Sequence, residues 1–477
     1  MAERAQELEL RTDFSLLIDG RLLKSTASLE VINPALGSVF ARCPAAARSE
    51  LDQAVRAARN AFKEWRNTSY EHRAGLVKRF AAALREHKAA LGELLTREQG
   101  KPLSQALGEI DRGAGQEALT TIEIRPETLI DDAQRNIELH YRPLGVVGII
   151  TPWNAPVNLS LGPVVSALYT GNTVVLKPSP YTPLTTLKLG ELMQKIFPAG
   201  VVNVLAGGDE LGQWMTEHEG IDKISFTGSV ATGKKVAASA ANTLKRVTLE
   251  LGGNDPAIVL DDADPKAIAK KIFFASFVNC GQVCMAIKRI YVHESLYDEL
   301  CTALVEEARN AKLGNGLDPD TQLGPLQNKM QYDKVRALLE DTKRSGAKLL
   351  TGGEVPEGAG YFIPPTLVTD IDEQSRLVQE EQFGPIVPIL KYSELEDAIA
   401  RANDTRYGLS ASVWTSNLER GREVAKRLEV GTAWVNLHRA TSPFVPFGGA
   451  KESGLGRQYS VLGLRGYMEP EVVSIAK

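Results

Sequence analysis

The sequence contains few cysteines and histidines for its length, four and six respectively in 477 residues. Four cysteines cannot build the disulfide framework of a small secreted protein, so a reducing, cytoplasmic location is expected. Cys280 and Cys284 lie four positions apart, but no histidine is near them in sequence, so a zinc site would lack its remaining ligands. Their C-x3-C spacing also differs from the C-x-x-C of thioredoxin-like pairs. A metal site and a dithiol pair are therefore both disfavoured.

The sequence also lacks an excess of either charge and any long apolar run. Its 55 basic and 59 acidic residues give a formal net charge of −4, with both signs spread along the chain. We therefore expect no nucleic-acid partner and no attachment to a membrane surface. No run approaches the roughly 18 apolar residues that a membrane helix needs, and the charged N-terminus has no apolar core of a secretory signal. Length and composition indicate a soluble globular protein with roughly two to four domains.

Strands and helices alternate twice along the chain. After helical periodicity over 49–95, closed by Gly100, apolar segments predict a first set of strands at 145–150, 173–179, 201–207, 223–229 and 247–253. A second set begins at 257–260. This alternation predicts an α/β fold with parallel, doubly wound sheets, which bind ligands at the C-terminal ends of their strands. We place the domain boundary near residue 250.

The C-terminal segment 463–477 ends in an apolar strand that has no partner beside it in sequence. Together with 135–145, it could form an arm that pairs with another subunit. A terminal strand that caps a sheet of its own chain explains the pattern equally well.

Cys284 is a candidate nucleophile. Residues 274–279 read as the end of a helix and Gly281 as its breaker, so Cys284 falls in an irregular segment before the next predicted strand. A thiol on a loop can be activated by nearby donors. Cys280, on the helical side of Gly281, reads as a buried packing residue. Most cysteines are packing residues, so the local pattern alone is a weak indication.

Glu250 and Asn154 are two further candidates. Glu250 lies inside a predicted apolar strand, just before two glycines, where a carboxylate is costly to bury unless it has a partner or a function. It is either a salt-bridge partner or a general base with a raised pKa. Asn154 lies between Pro152 and Pro156 in a rigid turn. Its side chain either caps that turn or donates to an oxyanion.

A phosphate-binding turn is indicated at 227–233, where TGSVATG joins a predicted strand to a helix. Its glycines, Gly228 and Gly233, are spaced differently from the G-x-G-x-x-G fingerprint, so the motif rule alone is weak. Free backbone amides at 229–231 and the helix dipole would hold a pyrophosphate. Lys177 and Ser179, at the end of a neighbouring strand, are placed for an adenine ribose.

Seven segments together resemble the NAD(P)-dependent aldehyde dehydrogenases of the hydrolytic type. They occur in that family's order and spacing over most of the chain: PWN (152–154), KPS (177–179), FTGS-x3-G (226–233), ELGG (250–253), NCGQVC (279–284), EEQFGP (380–385) and PFGGAKESGLGR (446–457). The resemblance implies that Cys284 is the nucleophile, Glu250 the base, and Asn154 an oxyanion donor together with the backbone amide of Cys284. An aldehyde would become a carboxylic acid through a thiohemiacetal and a thioester.

The resemblance also implies a domain organisation. A Rossmann-type cofactor domain would comprise 1–122 and 143–249, and an α/β catalytic domain 250–431. A β-strand oligomerisation arm would comprise 123–142 and 459–477, making a homodimer or homotetramer. Residues 432–458 would return to the cofactor domain and the substrate tunnel.

For the cofactor, the resemblance implies contacts from nine residues, namely Trp153, Lys177, Ser179, Gly212, Phe226, Gly228, Ser229, Glu381 and Phe383. Many members that prefer NAD have a glutamate directly after the K-P-S-like triplet, where this chain has Pro180. Without that carboxylate the site could accept a 2′-phosphate. We therefore expect NAD, slightly favoured, or NADP, with weak discrimination.

For the substrate, the resemblance implies a tunnel lined by Ala155, Leu159, Gly162, Val283, Met285, Arg439 and Phe447. Small residues at 155 and 162 suggest a wide apolar tunnel for aromatic or medium-chain aldehydes. Arg439, beside His438, could instead hold the carboxylate of a short dicarboxylic semialdehyde, or could be a surface charge. Two other functions are disfavoured. A CoA-acylating enzyme would not need Glu250, and a catalytically silent relative would tend to lose one of the three catalytic residues.

Overall fold

The computed structural model describes residues 13–477, which form two large sheets and two small ones. In the first large sheet the central strands are parallel, and antiparallel strands close both edges. Its strands, in spatial order, are Gly454–Leu455, Arg246–Glu250, Lys223–Thr227, Val146–Ile150, Thr173–Lys177, Val202–Val204, Leu16–Ile18 and Arg21–Leu23. Because helices cover both faces, central strands such as VVGII are buried at every position.

The second large sheet is parallel except for one edge strand. Its strands, in spatial order, are Lys348–Thr351, Thr366–Thr369, Ile386–Tyr392, Ile287–His293, Asp255–Val259, Ser410–Trp414 and Thr432–Val435. The chain passes from the first sheet to the second between the strands Arg246–Glu250 and Asp255–Val259. The domain boundary near residue 250 stays a prediction. Both sheets match the predicted α/β architecture.

The helices lie between the strands, as the alternating pattern predicts. The α-helices are Arg48–Trp65, Tyr70–Glu86, Lys88–Gln99, Leu103–Gly115, Pro156–Tyr169, Leu184–Gln194, Asp209–Glu217, Val230–Ala241, Pro265–Phe277, Tyr297–Asn310, Lys329–Arg344, Arg376–Gln379, Leu395–Asn403, Leu418–Ala425 and Ser460–Arg465. Short 3-10 helices occupy Gln116–Thr121, Val278–Gly281 and Lys451–Ser453. Gly100 ends its helix in the left-handed conformation, with φ of 94°, as predicted.

The C-terminal strand has a partner within its own chain. Met468–Ala476 pairs antiparallel with Arg135–Pro143, which in turn pairs with Glu127–Asp131. This three-stranded sheet is separate from both large sheets. A further hairpin pairs Ala27–Asn33 with Ser38–Ala45.

The passage back to the first sheet is later than the sequence predicts. Thr432–Val435 pairs in parallel with Ser410–Trp414, so it belongs to the second sheet. Gly454–Leu455 then pairs with Leu249 and Glu250 at the edge of the first sheet. The first residues of the segment 432–458 therefore extend the second sheet, because their backbone groups pair with the strand Ser410–Trp414.

Three structural facts concern membrane helices, metal clusters and disulfides. No helix within residues 13–477 is long and apolar enough to cross a membrane. In the same part of the chain, no three acidic, histidine or cysteine side chains converge as a metal site would require. All four cysteines, Cys43, Cys280, Cys284 and Cys301, are free thiols.

Candidate active site

The predicted catalytic residues meet at one edge of the first large sheet. Glu250 and Lys177 are the last residues of their strands, and Glu250 is paired with Thr227 and Lys177 with Ile150. Asn154 lies in the turn that follows Ile150. Because these strands are parallel, their carboxyl ends share an edge. This is the edge at which the sequence places the ligand.

The nucleophile segment, residues 278–284 with the candidate nucleophile Cys284 at its end, contains a tight left-handed turn. The preceding helix ends at Phe277, and Asn279, Cys280 and Gly281 all have positive φ, of 52°, 56° and 73°. Cys280 is therefore inside the turn and not at the helical end that the sequence suggests, although it is fully buried as expected. A side chain at Gly281 would overlap the carbonyl of Gly384, which the segment passes closely. Cys284 follows this turn and is partly exposed.

Asn154 contacts the nucleophile segment directly. Its side chain is 4% exposed, and Nδ2 donates to the carbonyl of Gln282 at 2.9 Å. Its own backbone carbonyl accepts a hydrogen bond from Asn279 Nδ2, also at 2.9 Å. The Nδ2 group has two hydrogens, and the bond to Gln282 uses only one. The second hydrogen has no acceptor among the described residues.

Glu250 is buried without a partner. Among residues 13–477, neither of its carboxylate oxygens accepts a hydrogen bond, so the salt-bridge interpretation is not realised. Burial raises the pKa of Glu250 well above its ordinary value, and the more distant charge of Arg457 opposes this only in part. Gly448 leaves room for the carboxylate, since a Cβ there would lie 2.9 Å from Oε1.

The thiol of Cys284 is neutral at rest. Burial raises its pKa to about 12, and the carboxylates of Glu381, Asp255 and Glu250 act in the same direction. Lys288 acts in the opposite direction, and its ammonium donates to the carbonyls of Val283, at 3.0 Å, and Cys284. The site therefore combines a protonated thiol with an adjacent buried cation.

A cleft of about 450 Å³ lies beside Lys177. Lys177, Gly212 and Phe226 line it, together with Ile150, Asp209, Gln213, Thr216, Glu217, Thr232, Lys235, Val236 and Ser239. Lys177 is 4% exposed, and burial lowers its pKa to about 8. Three of the nine predicted cofactor residues thus share one cavity.

The other predicted cofactor residues surround this cleft or lie near Cys284. Ser229 is exposed and caps the helix Val230–Ala241, its hydroxyl accepting from Thr232 N at 3.2 Å. A Cβ at Gly228 would lie 2.5 Å from the ring of Phe226, so this turn packs tightly on the cleft. Ser179 does not line the cleft and accepts a bond from Tyr181 N at 3.3 Å.

Trp153, Phe383 and Glu381 form a second group. The rings of Trp153 and Phe383 pack edge to face, with centroids 5.3 Å apart. Glu381 accepts from Gly253 N at 3.1 Å and lies 3.5 Å from Lys288 Nζ. Its carboxylate is therefore tied to the glycines that follow Glu250 and to the lysine beside Cys284.

The space beside Gly162, which the sequence predicts to widen a substrate tunnel, is occupied by an aromatic ring. A Cβ at Gly162 would lie 3.1 Å from the ring of Tyr459, so this ring fills the space that the missing side chain opens. Burial raises the pKa of Tyr459, and the neighbouring Glu250 and Cys284 act in the same direction. Phe447 is also buried, bonded through its backbone to Gln458. Of the remaining tunnel residues, Ala155, Leu159, Val283 and Met285 are partly exposed.

Arg439 is of intermediate exposure, between the surface charge and the enclosed carboxylate partner that the sequence allows. Its neighbour His438 is bonded to the carbonyl of Met285 at 2.9 Å, which fixes this segment beside the residue that follows Cys284. Arg439 has a φ of 63°, and its Nε is enclosed without a hydrogen-bond partner among the described residues. Burial and the like charge of Arg112 lower the pKa of Arg439 to about 10, while Cys284 acts in the opposite direction.

Four residues near the site were missed by sequence reasoning: Lys101, Glu109, Lys288 and Tyr459. Lys288 and Tyr459 lie just beyond the segments 279–284 and 446–457, and Lys101 and Glu109 belong to none of the seven segments. The sequence offers a signal for two of them. Glu109 is a charged residue at an otherwise apolar position of its helix, and Lys101 is a charged residue at the junction of two helices.

Comparison with known proteins places this site in a family. The model of the "Aldehyde dehydrogenase family" matches residues 23–473. Aldehyde dehydrogenase LUC3 of Fusarium sp is 39% identical over 468 residues, which cover 98% of this chain and 99% of that protein. Mitochondrial succinate-semialdehyde dehydrogenase of Oryza sativa subsp. japonica is 39% identical over 451 residues, covering 93% and 85%. The NAD+ complex structure of aldehyde dehydrogenase from Bacillus cereus has a TM-score of 0.95 and 37% identity, covering 98% and 97%. The chain therefore belongs to the aldehyde dehydrogenase family and is an NAD(P)-dependent oxidoreductase that acts on an aldehyde group.

Proposed function

We propose that this enzyme oxidises its aldehyde to the free carboxylic acid, with Cys284 as nucleophile, Asn154 as oxyanion donor and Glu250 as base. The observation that carries the proposal is the carboxylate of Glu250. This carboxylate is buried, and its oxygens have no hydrogen-bond partner in the described part of the chain. Its charge raises the pKa of the Cys284 thiol. Such a group is costly to keep in a fold, and its raised pKa suits proton abstraction from water.

Cys284 must lose its proton to solvent water before it attacks. Lys288 stabilises the anion, because its ammonium lies against the Val283 and Cys284 carbonyls. The thiolate then forms a bond to the carbonyl carbon, and the carbonyl electron pair moves to oxygen. The free Nδ2 hydrogen of Asn154 and the backbone N–H of Cys284 hold that oxyanion.

Collapse of this adduct expels a hydride and leaves a thioester on Cys284. NAD(P)+ supplies the hydride acceptor when bound. Glu250 then takes a proton from water, the hydroxide attacks the thioester, and the thiolate of Cys284 leaves as the acid forms. A base at this position supports hydrolysis over transfer of the acyl group to a second thiol.

The described residues fit a dinucleotide. The cleft beside Lys177 has an apolar side formed by Ile150, Phe226 and Val236, which suits an adenine ring. The first N–H groups of the helix Val230–Ala241 open next to it and would hold a pyrophosphate. Trp153, Phe383 and Glu381, nearer Cys284, would hold the nicotinamide half.

Use of either NAD or NADP follows from the charges around that cleft. Pro180 provides no carboxylate next to Ser179, and Lys177 and Lys235 both line the cleft. Asp209 faces Lys177 and raises its pKa against the effect of burial. We expect NAD to serve, with weak discrimination against NADP.

Arg439 favours a substrate with an anionic group. Its Nε is enclosed and has no partner among the described residues, and the like-charged Arg112 is the charged side chain that affects its pKa most. Glu109, a buried carboxylate on the same helix as Arg112, already forms a salt bridge with Lys101. A carboxylate on the substrate would supply the missing partner. The semialdehyde of a short dicarboxylic acid therefore fits better than the aromatic or medium-chain aldehydes, because Tyr459 narrows the tunnel at Gly162.

The reaction type is tested by replacing the two neighbouring cysteines separately. Cys284→Ala should abolish aldehyde oxidation and leave binding of NAD+ largely intact. Cys280→Ala, the matched control, should keep most activity and lose some stability, because its thiol is fully buried in the turn. Activity that survives in Cys284→Ala and is lost in Cys280→Ala would overturn the assignment.

A homo-oligomeric assembly is supported by the three-stranded sheet at the C-terminus. Its outer strands expose Leu129, Val472 and Ile475 by 52%, 62% and 51%. Apolar side chains in a sheet edge favour pairing with a second copy. Light scattering of the purified enzyme, compared with a chain truncated before Met468, tests this assembly.

A further inference from the structure

A buried ion pair lies directly behind Asn154. Lys101 is 4% exposed and Glu109 is fully buried, and the two side chains form a salt bridge. The ammonium of Lys101 also donates to the backbone carbonyl of Asn154 at 2.9 Å. That carbonyl therefore accepts two side-chain hydrogen bonds, from Lys101 and from Asn279 of the nucleophile segment.

The carboxylate of Glu109 fixes the chain on the other side of Asn154. Its Oε1 accepts from the backbone N–H groups of Val157, at 2.9 Å, and Asn158, at 3.2 Å. These are unpaired donors in the first turn of the helix Pro156–Tyr169. One ion pair thus holds both the carbonyl of Asn154 and the helix that begins two residues later.

Lys101 is itself on a rigid support. It lies between two helices, after the left-handed Gly100, and its backbone N–H donates to Gln99 Oε1 at 3.0 Å. The next helix begins with Leu103 N donating to the carbonyl of Gly316 at 2.8 Å. The junction is therefore fastened to a loop that precedes the helix Lys329–Arg344, outside the first sheet.

The direction of the free Nδ2 hydrogen of Asn154 depends on this support. The amide plane is set at one end by Gln282 and at the other by the position of the Asn154 backbone. A shift of the backbone would turn the second hydrogen away from the oxyanion without breaking any contact to substrate. A displacement of about 1 Å at a catalytic group costs about 100-fold in rate.

We propose that Lys101 and Glu109 are positioning residues that hold Asn154 in its oxyanion-binding orientation. This inference rests on the proposed role of Asn154. The ion pair affects the rate of hydride transfer by orienting Asn154. This effect is separate from any effect on stability. Buried ion pairs contribute little net stability over apolar residues of similar volume, so a role in specifying geometry accounts for this one.

The test combines three changes: Lys101→Met, the double change Lys101→Met/Glu109→Gln, and Asn154→Ala. The double change leaves no lone buried charge, and the amide oxygen of the introduced glutamine can still accept from Val157 and Asn158, so this variant remains folded if Lys101→Met does not. The first two changes are each made in the wild-type and Asn154→Ala backgrounds.

The single-turnover rate of NADH formation, KM and the melting temperature are measured. Lys188→Met is the matched control, because Lys188 is also 4% exposed in its side chain and ion-paired, to Glu191 at 2.8 Å.

We expect the double change to lower the single-turnover rate by about 10- to 100-fold, with KM and melting temperature near those of Lys188→Met. In the Asn154→Ala background the same change should lower the rate less than about threefold, because residues that act as a unit are not additive. An equal loss in both backgrounds, or no loss in the wild-type background, overturns the positioning role. If Asn154→Ala alone leaves the rate unchanged, the proposed function of Asn154 fails instead, and this inference with it.

Discussion

The side-chain amide of Asn154 lies 2.9 Å from the backbone carbonyl of Gln282, two residues before Cys284. This bond joins the turn after the strand Val146–Ile150 to the segment that carries the nucleophile. It also fixes which hydrogen of the amide remains free. Asn154, the proposed oxyanion donor, and the segment of Cys284, the proposed nucleophile, are therefore set relative to each other before any aldehyde binds.

Replacing Asn154 tests that arrangement. We expect Asn154→Ala to lower kcat by about 100- to 1,000-fold, the usual cost of one oxyanion donor, with a smaller change in KM. Stopped-flow absorbance of NADH formation measures the hydride-transfer rate directly. Asn203→Ala is a suitable control, because Asn203 is fully buried and hydrogen-bonded but lies at the far side of the first sheet. Equal losses in both variants would indicate a general loss of structure.

The reactivity of Cys284 should rise with pH. The anion is the reactive form, and burial disfavours it and raises the pKa of the thiol to about 12. The reactive fraction is therefore small at neutral pH and grows about tenfold for each unit of pH below that value. The rate of alkylation by iodoacetamide, followed by mass spectrometry of the Cys284 peptide, should increase in this way between pH 7 and about pH 10. A plateau that is reached near neutral pH would contradict the prediction.

The architecture follows from the sequence because the periodicity of apolar residues reports burial on one or both faces. The helix Val230–Ala241 lies where this pattern places it, whereas the strands predicted at 173–179 and 247–253 end earlier, at Lys177 and Glu250. The same reasoning fails at Cys280, since a left-handed turn of non-glycine residues is stabilised by distant contacts such as Gln282 with Pro325.

Contacts between distant segments could not be predicted from local pattern. Tyr459 fills the space at Gly162, and Arg439 turns inward, because residues far apart in the chain pack together at those points. Lys101 and Glu109 carry no motif, and only the fold shows that they meet Asn154. The pattern of a single sequence describes the segment in which a residue lies. It does not identify contacts with residues far away in the chain.

Arg439 should decide between charged and neutral aldehydes. We expect Arg439→Met to lower kcat/KM for succinate semialdehyde by about 10- to 100-fold, since a hydrogen bond to a charged group contributes about 1.5–3 kcal/mol. For butanal, which has the same number of carbons and no carboxylate, the change should be less than about threefold. Arg422→Met serves as control, because Arg422 is exposed and distant from the site. Equal losses for the two aldehydes would remove Arg439 from substrate recognition.

Pro180 should govern the choice of cofactor. A glutamate at this position would repel the 2′-phosphate of NADP and accept hydrogen bonds from the ribose of NAD. We expect Pro180→Glu to raise the ratio of kcat/KM for NAD to that for NADP by about tenfold, a difference of about 1.4 kcal/mol. Pro180→Gln, which has the same length without the charge, should shift the ratio much less. An unchanged ratio in Pro180→Glu would show that this position does not face the ribose.

The most direct test of the proposed reaction is the mass of the enzyme after one turnover of Glu250→Gln. Without a base, the thioester should form with normal release of NADH and then persist, so the steady-state rate should fall about 100- to 10,000-fold. Intact-protein and peptide mass spectrometry should find one added acyl group, equal to the aldehyde minus two hydrogens, on the peptide that carries Cys284. An adduct on Cys280, or a burst of NADH with no covalent adduct on Cys284, would contradict hydrolysis of a Cys284 thioester by Glu250-activated water.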